Sequence, residues 1–183
     1  MDMPLGRKTA DAPETVKVWD PFVRVCHWSL VGGFAGAYLS GDDGGAWHEA
    51  AGYLALGLVA ARILWGLVGT GQARFSAFVP SPRRLSGYLR ALLAGRDERY
   101  LGHNPAGAMM ILALLAGIVA LGVSGWMLGS DALWGAKWLE EVHEGLAGTV
   151  LSLAAVHVAG VIFAGHRHRE NLVRAMISGR KRP

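Results

Sequence analysis

The stretch VRVCHWSL, Val23 to Leu30, sets a cysteine beside a histidine at the edge of a long apolar run. A thiol next to an imidazole suits covalent haem attachment, a metal thiolate site or a redox switch. The first needs the pattern C-x-x-C-H with two thiols, and Cys26 is the only cysteine in the chain. The same count excludes an internal disulfide, an all-cysteine iron–sulfur site and a four-cysteine zinc site. Cys26 is therefore expected to pack as a small apolar residue, and the donors that remain are imidazoles. Four of them, His27, His48, His143 and His157, fall inside or at the start of apolar segments. Ionisable groups at membrane depth are costly and usually functional, although a single histidine also serves as a hydrogen-bonding bridge between helices.

The segments that carry these histidines read as membrane spans. Of 183 residues, 52% are hydrophobic and 17% charged, against roughly 25% charged in soluble domains. Glycine, at 26 residues, is about double its ordinary usage and is common in membrane helices. Four runs, Phe22–Ser40, Trp47–Gly69, Pro105–Leu128 and Val142–Gly165, each approach the roughly 20 residues that a helix needs to cross the hydrocarbon layer. The third has no ionisable residue, and Pro105 suits the first turn of its helix. The first is no cleaved leader, because both acidic and basic residues precede it and its apolar run is too long. The expected fold is an all-α, integral membrane four-helix bundle forming a single domain over residues 1–183, with a loop at 70–104 and a basic tail at 166–183. Within the loop, RRLSGYLRALLAG reads as an amphipathic helix on the inner membrane surface.

Basic residues set the orientation. Arg7, Lys8 and Lys17 precede the first span with Arg24 at its entry, six arginines lie between spans two and three, and six basic residues follow span four. Lys137 alone sits on the other side, so both termini and the long loop are expected in the cytoplasm. The net charge of +4 is a topology signal and no argument for nucleic acid binding. The outer connections carry Asp42, Asp43, Asp131, Glu140 and Glu141. Trp47, Trp126, Trp134 and Trp138 fall near the outer boundary, and Trp19, Trp28 and Trp65 near the inner one.

In this frame the four histidines pair by depth. His27 and His157 reach similar inner depths, while His48 and His143 each begin an inward-running span. Fourteen residues separate His143 from His157, a rotation about 40° short of four full turns and a rise of about 21 Å, so both face nearly one side. Two imidazole pairs stacked inside a helix bundle are what two six-coordinate b-type haems require, one imidazole on each face of each iron. Gly52, four residues after His48, and Gly160, three after His157, lie on their ligands' faces. Each would either admit a ring edge or let helices pack closely.

RVCHW in span one, WHEAAGYLALGLVAARILWG in span two, GHNPAGAMM opening span three and the two histidines of span four resemble the prokaryotic di-haem cytochromes b of the cytochrome b561 and nickel-hydrogenase b-subunit type. The resemblance covers residues 18–165. It implies two haem b groups, an inner one on His27 and His157 and an outer one on His48 and His143. It also implies an electron carrier of the bacterial inner membrane, working between quinone and a periplasmic partner such as a c-type cytochrome. A second reading is the membrane anchor of a hydrogenase or other dehydrogenase. A third, of another class, is a histidine-lined metal or proton transporter, with water-accessible histidines and no porphyrin-sized clearance.

Around these ligands, Arg62 either snorkels to the inner headgroups or pairs with a propionate of the inner haem. Arg24, three residues before His27, has the same two options. His103, Asn104 and Trp28 form a candidate quinone site at the inner rim, with His103 otherwise serving in capping and interface contacts. His166 and His168 are expected on the solvated or headgroup-facing surface of the tail.

Overall fold

Asp20 opens the first long helix: its carboxylate accepts a hydrogen bond from the Val23 N–H at 2.8 Å, and Pro21 occupies the first turn, where no N–H is missed. The computed structural model describes residues 15–41 and 45–183. In chain order they form strand β1 (Val16–Lys17), helices α1 (Pro21–Leu39) and α2 (Ala46–Val68), a 3₁₀ turn (Gly71–Ala73) and the short helix α3 (Phe75–Phe78). Helices α4 (Pro82–Leu93), α5 (Pro105–Leu128), α6 (Lys137–Arg167) and α7 (Leu172–Ser178) follow, then strand β2 (Arg180–Lys181). Asn104 starts α5 in the same manner as Asp20 starts α1, its side chain accepting from Gly107 N–H at 2.7 Å with Pro105 next.

Three helices, α2, α5 and α6, are long and apolar enough to cross a membrane. The 19-residue α1 is not among them, since Arg24, His27, Ser29 and Tyr38 dilute its apolar content. It nevertheless runs the length of α2 in the opposite direction. Trp65 near the end of α2 donates to the Asp20 carboxylate at 3.1 Å, while His48 near the start of α2 meets the Ala37 carbonyl near the end of α1. The pairs α1–α2, α2–α5 and α5–α6 are the close ones.

Small residues permit the approach. Gly33 and Gly36 of α1 face Ala51 and Ala55 of α2; Gly122 of α5 receives Leu56 of α2; Gly117 of α5 receives Val150 of α6. Where the surrounding lipid is as apolar as the side chains, van der Waals fit of this kind replaces the hydrophobic drive between helices.

The loop at 70–104 is largely helical, with the amphipathic piece appearing as α4. The tail departs from expectation. α6 runs on to Arg167, the chain then turns back through α7, and β2 pairs antiparallel with β1, Val16 opposite Lys181 and Lys17 opposite Arg180. Lys181 is only 5% exposed; its ammonium lies 3.2 Å from Glu170 and 3.1 Å from the Tyr100 carbonyl. Glu170 also binds Arg99 at 3.1 Å, and Asp97 binds Arg167 and His168. His166 is exposed, as expected for a surface residue, but His168 is drawn into this clasp. His168 and Lys181 are drawn in because Asp97 and Glu170 give them carboxylate partners, while the arginines of the tail stay exposed. Both ends of the described chain and the 94–104 connection thus gather at one end of the helices. Arg7, Lys8, Asp42 and Asp43, counted above toward the two surfaces, lie outside the described residues.

Candidate functional site

The antiparallel order of α1, α2, α5 and α6 brings the four histidines together in two pairs. His27 of α1 and His157 of α6 have ring centres 6.4 Å apart; His48 of α2 and His143 of α6 have ring centres 6.0 Å apart. α6 contributes one ring to each, at positions separated by about 21 Å along its axis. Two imidazoles whose centres are about 6 Å apart accommodate one metal ion bonded at about 2 Å to a nitrogen of each. Among the described residues, no group of three or more histidine, cysteine or carboxylate side chains is gathered to hold a metal. Each pair therefore supplies two donors only, a set that suits a metal bringing its own equatorial ligands, as a porphyrin iron does.

The hydrogen bonds around the rings differ between the pairs. His48 Nδ1 lies 2.8 Å from the Ala37 carbonyl, which can only accept, so Nδ1 carries the proton and Nε2 keeps its lone pair. His143 Nδ1 lies 2.8 Å from the Ser124 hydroxyl, whose own proton goes to the Leu121 carbonyl at 3.0 Å. Ser124 must then accept from His143, which fixes the same tautomer. In the other pair, His27 Nδ1 is buried without a hydrogen-bond partner among the described residues. The edge of the Trp28 ring stands against His27, centres 5.1 Å apart and planes nearly perpendicular.

Glycines near the rings differ in their surroundings. A Cβ at Gly52 or Gly160 would meet nothing within 4 Å, so these positions border open space and do not serve close helix packing. Gly125 does different work: a Cβ there would stand 3.2 Å from His143 Cε1, so its absence lets the ring lie against α5.

Of the arginines, Arg62 is 6% exposed, stacks over the Phe75 ring at 5.4 Å, and leaves Nη1 buried without a partner. It does not reach out as a snorkelling side chain would. A buried guanidinium nitrogen without a hydrogen-bond partner among the described residues is the condition a propionate would satisfy. Arg24 donates from Nη1 to the Ile177 carbonyl at 2.7 Å and keeps a buried, unpartnered Nε. Cys26 is 2% exposed, with its sulfur 3.4 Å from the Leu58 carbonyl, a packed thiol as expected.

The candidate quinone residues are dispersed. Arg24, Val25, Trp28, Ser29 and Ile177 line a shallow groove at the clasped end. Asn104 is engaged in capping α5. His103 is held between Trp19 and Phe78, ring centres 4.5 and 4.6 Å away, with Nδ1 buried and unpartnered. Burial above all, with the charges of Arg62, Lys181 and His157 added, pushes its pKa down to about 3. His103 is therefore neutral across the physiological range.

Ser124 and Gly125 were not singled out from the sequence. A signal for the first exists: Ser124 is the one hydroxyl residue of α5, 5% exposed in an otherwise apolar helix. The Ala37 carbonyl has no such signal, because any residue offers one.

A family model described as prokaryotic cytochrome b561 matches residues 18–179, a stretch that takes in all four paired histidines. No curated protein and no solved structure gives a significant match. Two facing imidazole pairs on apolar helices, within a match over most of the chain, lead to one conclusion: the chain belongs to the prokaryotic cytochrome b561 family, whose members are membrane b-type cytochromes of electron transfer.

Proposed function

We propose that the protein is a four-span, di-haem cytochrome b of the bacterial cytoplasmic membrane, passing electrons between quinone and a redox partner on the outer side. The single observation that carries this reading is the pair of facing imidazole sets, 6.4 and 6.0 Å between ring centres, joined through α6. His27 and His157 would hold an inner haem and His48 and His143 an outer one, with Gly52 and Gly160 bordering the space the rings need. When bound, haem supplies reversible one-electron chemistry at iron.

The chain's own residues do the rest. Each pair of imidazoles would give its iron two nitrogen ligands, a donor set that suits electron transfer over oxygen binding. Arg62, whose buried Nη1 lacks a partner among the described residues, would take an inner propionate, and Arg24 has one free donor for a second. Apolar side chains of α2, α5 and α6 keep water from the sites. The paired ends of the chain and the 94–104 connection lie together with most of the arginines, and the positive-inside rule puts that end in the cytoplasm. α1 then crosses beside α2 as the fourth span. On the outer side, exposed Glu49, Glu140, Glu141 and Glu144 favour a partner with a basic docking face, such as a c-type cytochrome. Quinone would reach the inner rim through the groove beside Arg24 and Trp28, and neutral His103, held apart from that groove between Trp19 and Phe78, would be a second hydrogen-bond partner.

The test is a count followed by an assignment. Pyridine haemochrome assay of the purified protein is expected to give about two haem b per chain, extractable into acid acetone because no thioether is possible. Replacing His48 or His143 by Ala should each remove one and the same spectral component, and His27 or His157 the other. A transporter would give no haem band, and loss of the same component in the His27 and His48 variants would overturn the pairing.

A further inference from the structure

We infer that the outer histidine pair holds its iron at the lower reduction potential, and that Ser124 is a positioning residue that helps set it. The inference rests on the ligand assignment proposed above and goes beyond it to the direction in which electrons fall.

The first observation is the contrast in hydrogen bonding. Both outer rings donate Nδ1–H to an oxygen, His48 to the Ala37 carbonyl and His143 to Ser124, each at 2.8 Å. The Ser124 hydroxyl passes its own proton to the Leu121 carbonyl, so it is polarised as an acceptor. Such a bond fixes the ring's orientation and makes the ligating nitrogen a stronger donor. A stronger donor stabilises the oxidised metal. At the inner pair His27 Nδ1 has no partner, and no hydrogen bond among the described residues involves His157. The inner imidazoles are the weaker donors.

The second observation is charge. A reduced site carries one more electron than an oxidised one, so neighbouring cations favour reduction and neighbouring carboxylates oppose it. Next in sequence to the outer rings are Glu49 and Glu144, both exposed. At the inner end, Cys26, the neighbour of His27, packs on the Leu58 carbonyl one helical turn before the buried Arg62, and Arg24 lies one turn before His27. Of the described carboxylates at the inner end, Asp97 is paired with Arg167 and His168 and Glu170 with Arg99 and Lys181, Asp20 accepts from the Val23 N–H and Trp65, and Glu98 is exposed. Ligand strength and charge therefore act in one direction. Electrons entering from the outer side go downhill toward the clasped end.

The experiment is an optical redox titration of the purified, detergent-solubilised holoprotein and of three variants. The unmodified protein should give two one-electron midpoints, and His48→Ala should lose the lower one. Ser124→Ala should raise the lower midpoint by about a tenfold change in the one-electron equilibrium, about 59 mV, and leave the higher where it was. Ser124→Thr, which keeps the hydroxyl, should restore the original value; a purely structural role for Ser124 would not move a midpoint in this paired way. The inference is overturned if His48→Ala removes the higher midpoint, or if Ser124→Ala moves neither. Should Ser124→Ala lose its outer haem, the order of the midpoints in the unmodified protein, assigned by His48→Ala, still decides. A haem count other than two overturns the ligand assignment first, and this inference with it, before any midpoint is read.

Discussion

His103 occupies a box formed by Trp19 and Phe78, with Arg62 and Lys181 close enough for their charges to be felt. The unfolded chain takes up a proton on this imidazole near pH 6.5, whereas the folded protein does so only near pH 3. Folding therefore keeps its full stability above pH 6.5 and loses some as the pH falls toward 3, because the unfolded state then binds the extra proton. His103→Phe fills the same box without titrating. Thermal unfolding of this variant is expected to be less sensitive to acidification between pH 6.5 and about 5, with both haems retained; an unaltered pH profile would place the acid sensitivity elsewhere. The same variant lacks the nitrogen assigned to quinone, and stopped-flow reduction by quinol should slow by roughly tenfold. At this scale the sequence was informative where chemistry is expensive. Imidazoles in apolar runs stand out because few reasons justify them, and the four fell into pairs on depth alone. The box around His103 was illegible, since Trp19 and Phe78 lie 84 and 25 residues away in the chain and nothing local draws them together.

The long helices owe their contacts to what is missing from their surfaces. A Cβ at Gly122 would come 2.7 Å from Leu56 Cδ1, well inside van der Waals contact, while one at Gly32 would meet nothing. Gly122→Ala is expected to lower stability by about 1–3 kcal/mol through overpacking of α5 against α2, and Gly32→Ala to be neutral or slightly stabilising through better helix propensity. Thermal midpoints of the two variants, measured side by side in one detergent, check the contrast. Apolar runs located three of the helices to within about a residue, for hydropathy and caps such as Asp20 and Asn104 end where the helices end. They cut α6 short at both ends: Val142–Gly165 is only the part whose side chains suit lipid, and no breaker stops the backbone helix between Lys137 and Arg167. The three-residue turns and two-residue strands carry no periodicity from which they could have been read.

For the whole molecule, the clasp links chain segments that the spans alone would leave independent. Burial opposes the Glu170 carboxylate, but Arg99 and Lys181 outweigh it and hold its pKa below the usual 4.5. Its contribution is complete above pH 4.5 and disappears as the pH falls through the lowered value, a window that opens about two pH units below the start of that of His103. Glu170→Gln would leave the Lys181 ammonium buried beside a neutral amide, and a cost of about 3 kcal/mol or more is expected. The checks are the thermal midpoint at pH 7 and limited tryptic proteolysis after Arg180 and Lys181, which should quicken in the variant. The sequence hid the withdrawal of His168 from the surface, because its carboxylate partner Asp97 sits 71 residues earlier in the chain. The β1–β2 pairing has one more consequence, in the order of synthesis. Val16 and Lys17 leave the ribosome before any helix exists, and Arg180 and Lys181 emerge only after all four long helices have been made. The first strand waits through nearly the whole of translation with its edge unpaired, and the clasp forms as a last step that marks a chain made through to β2.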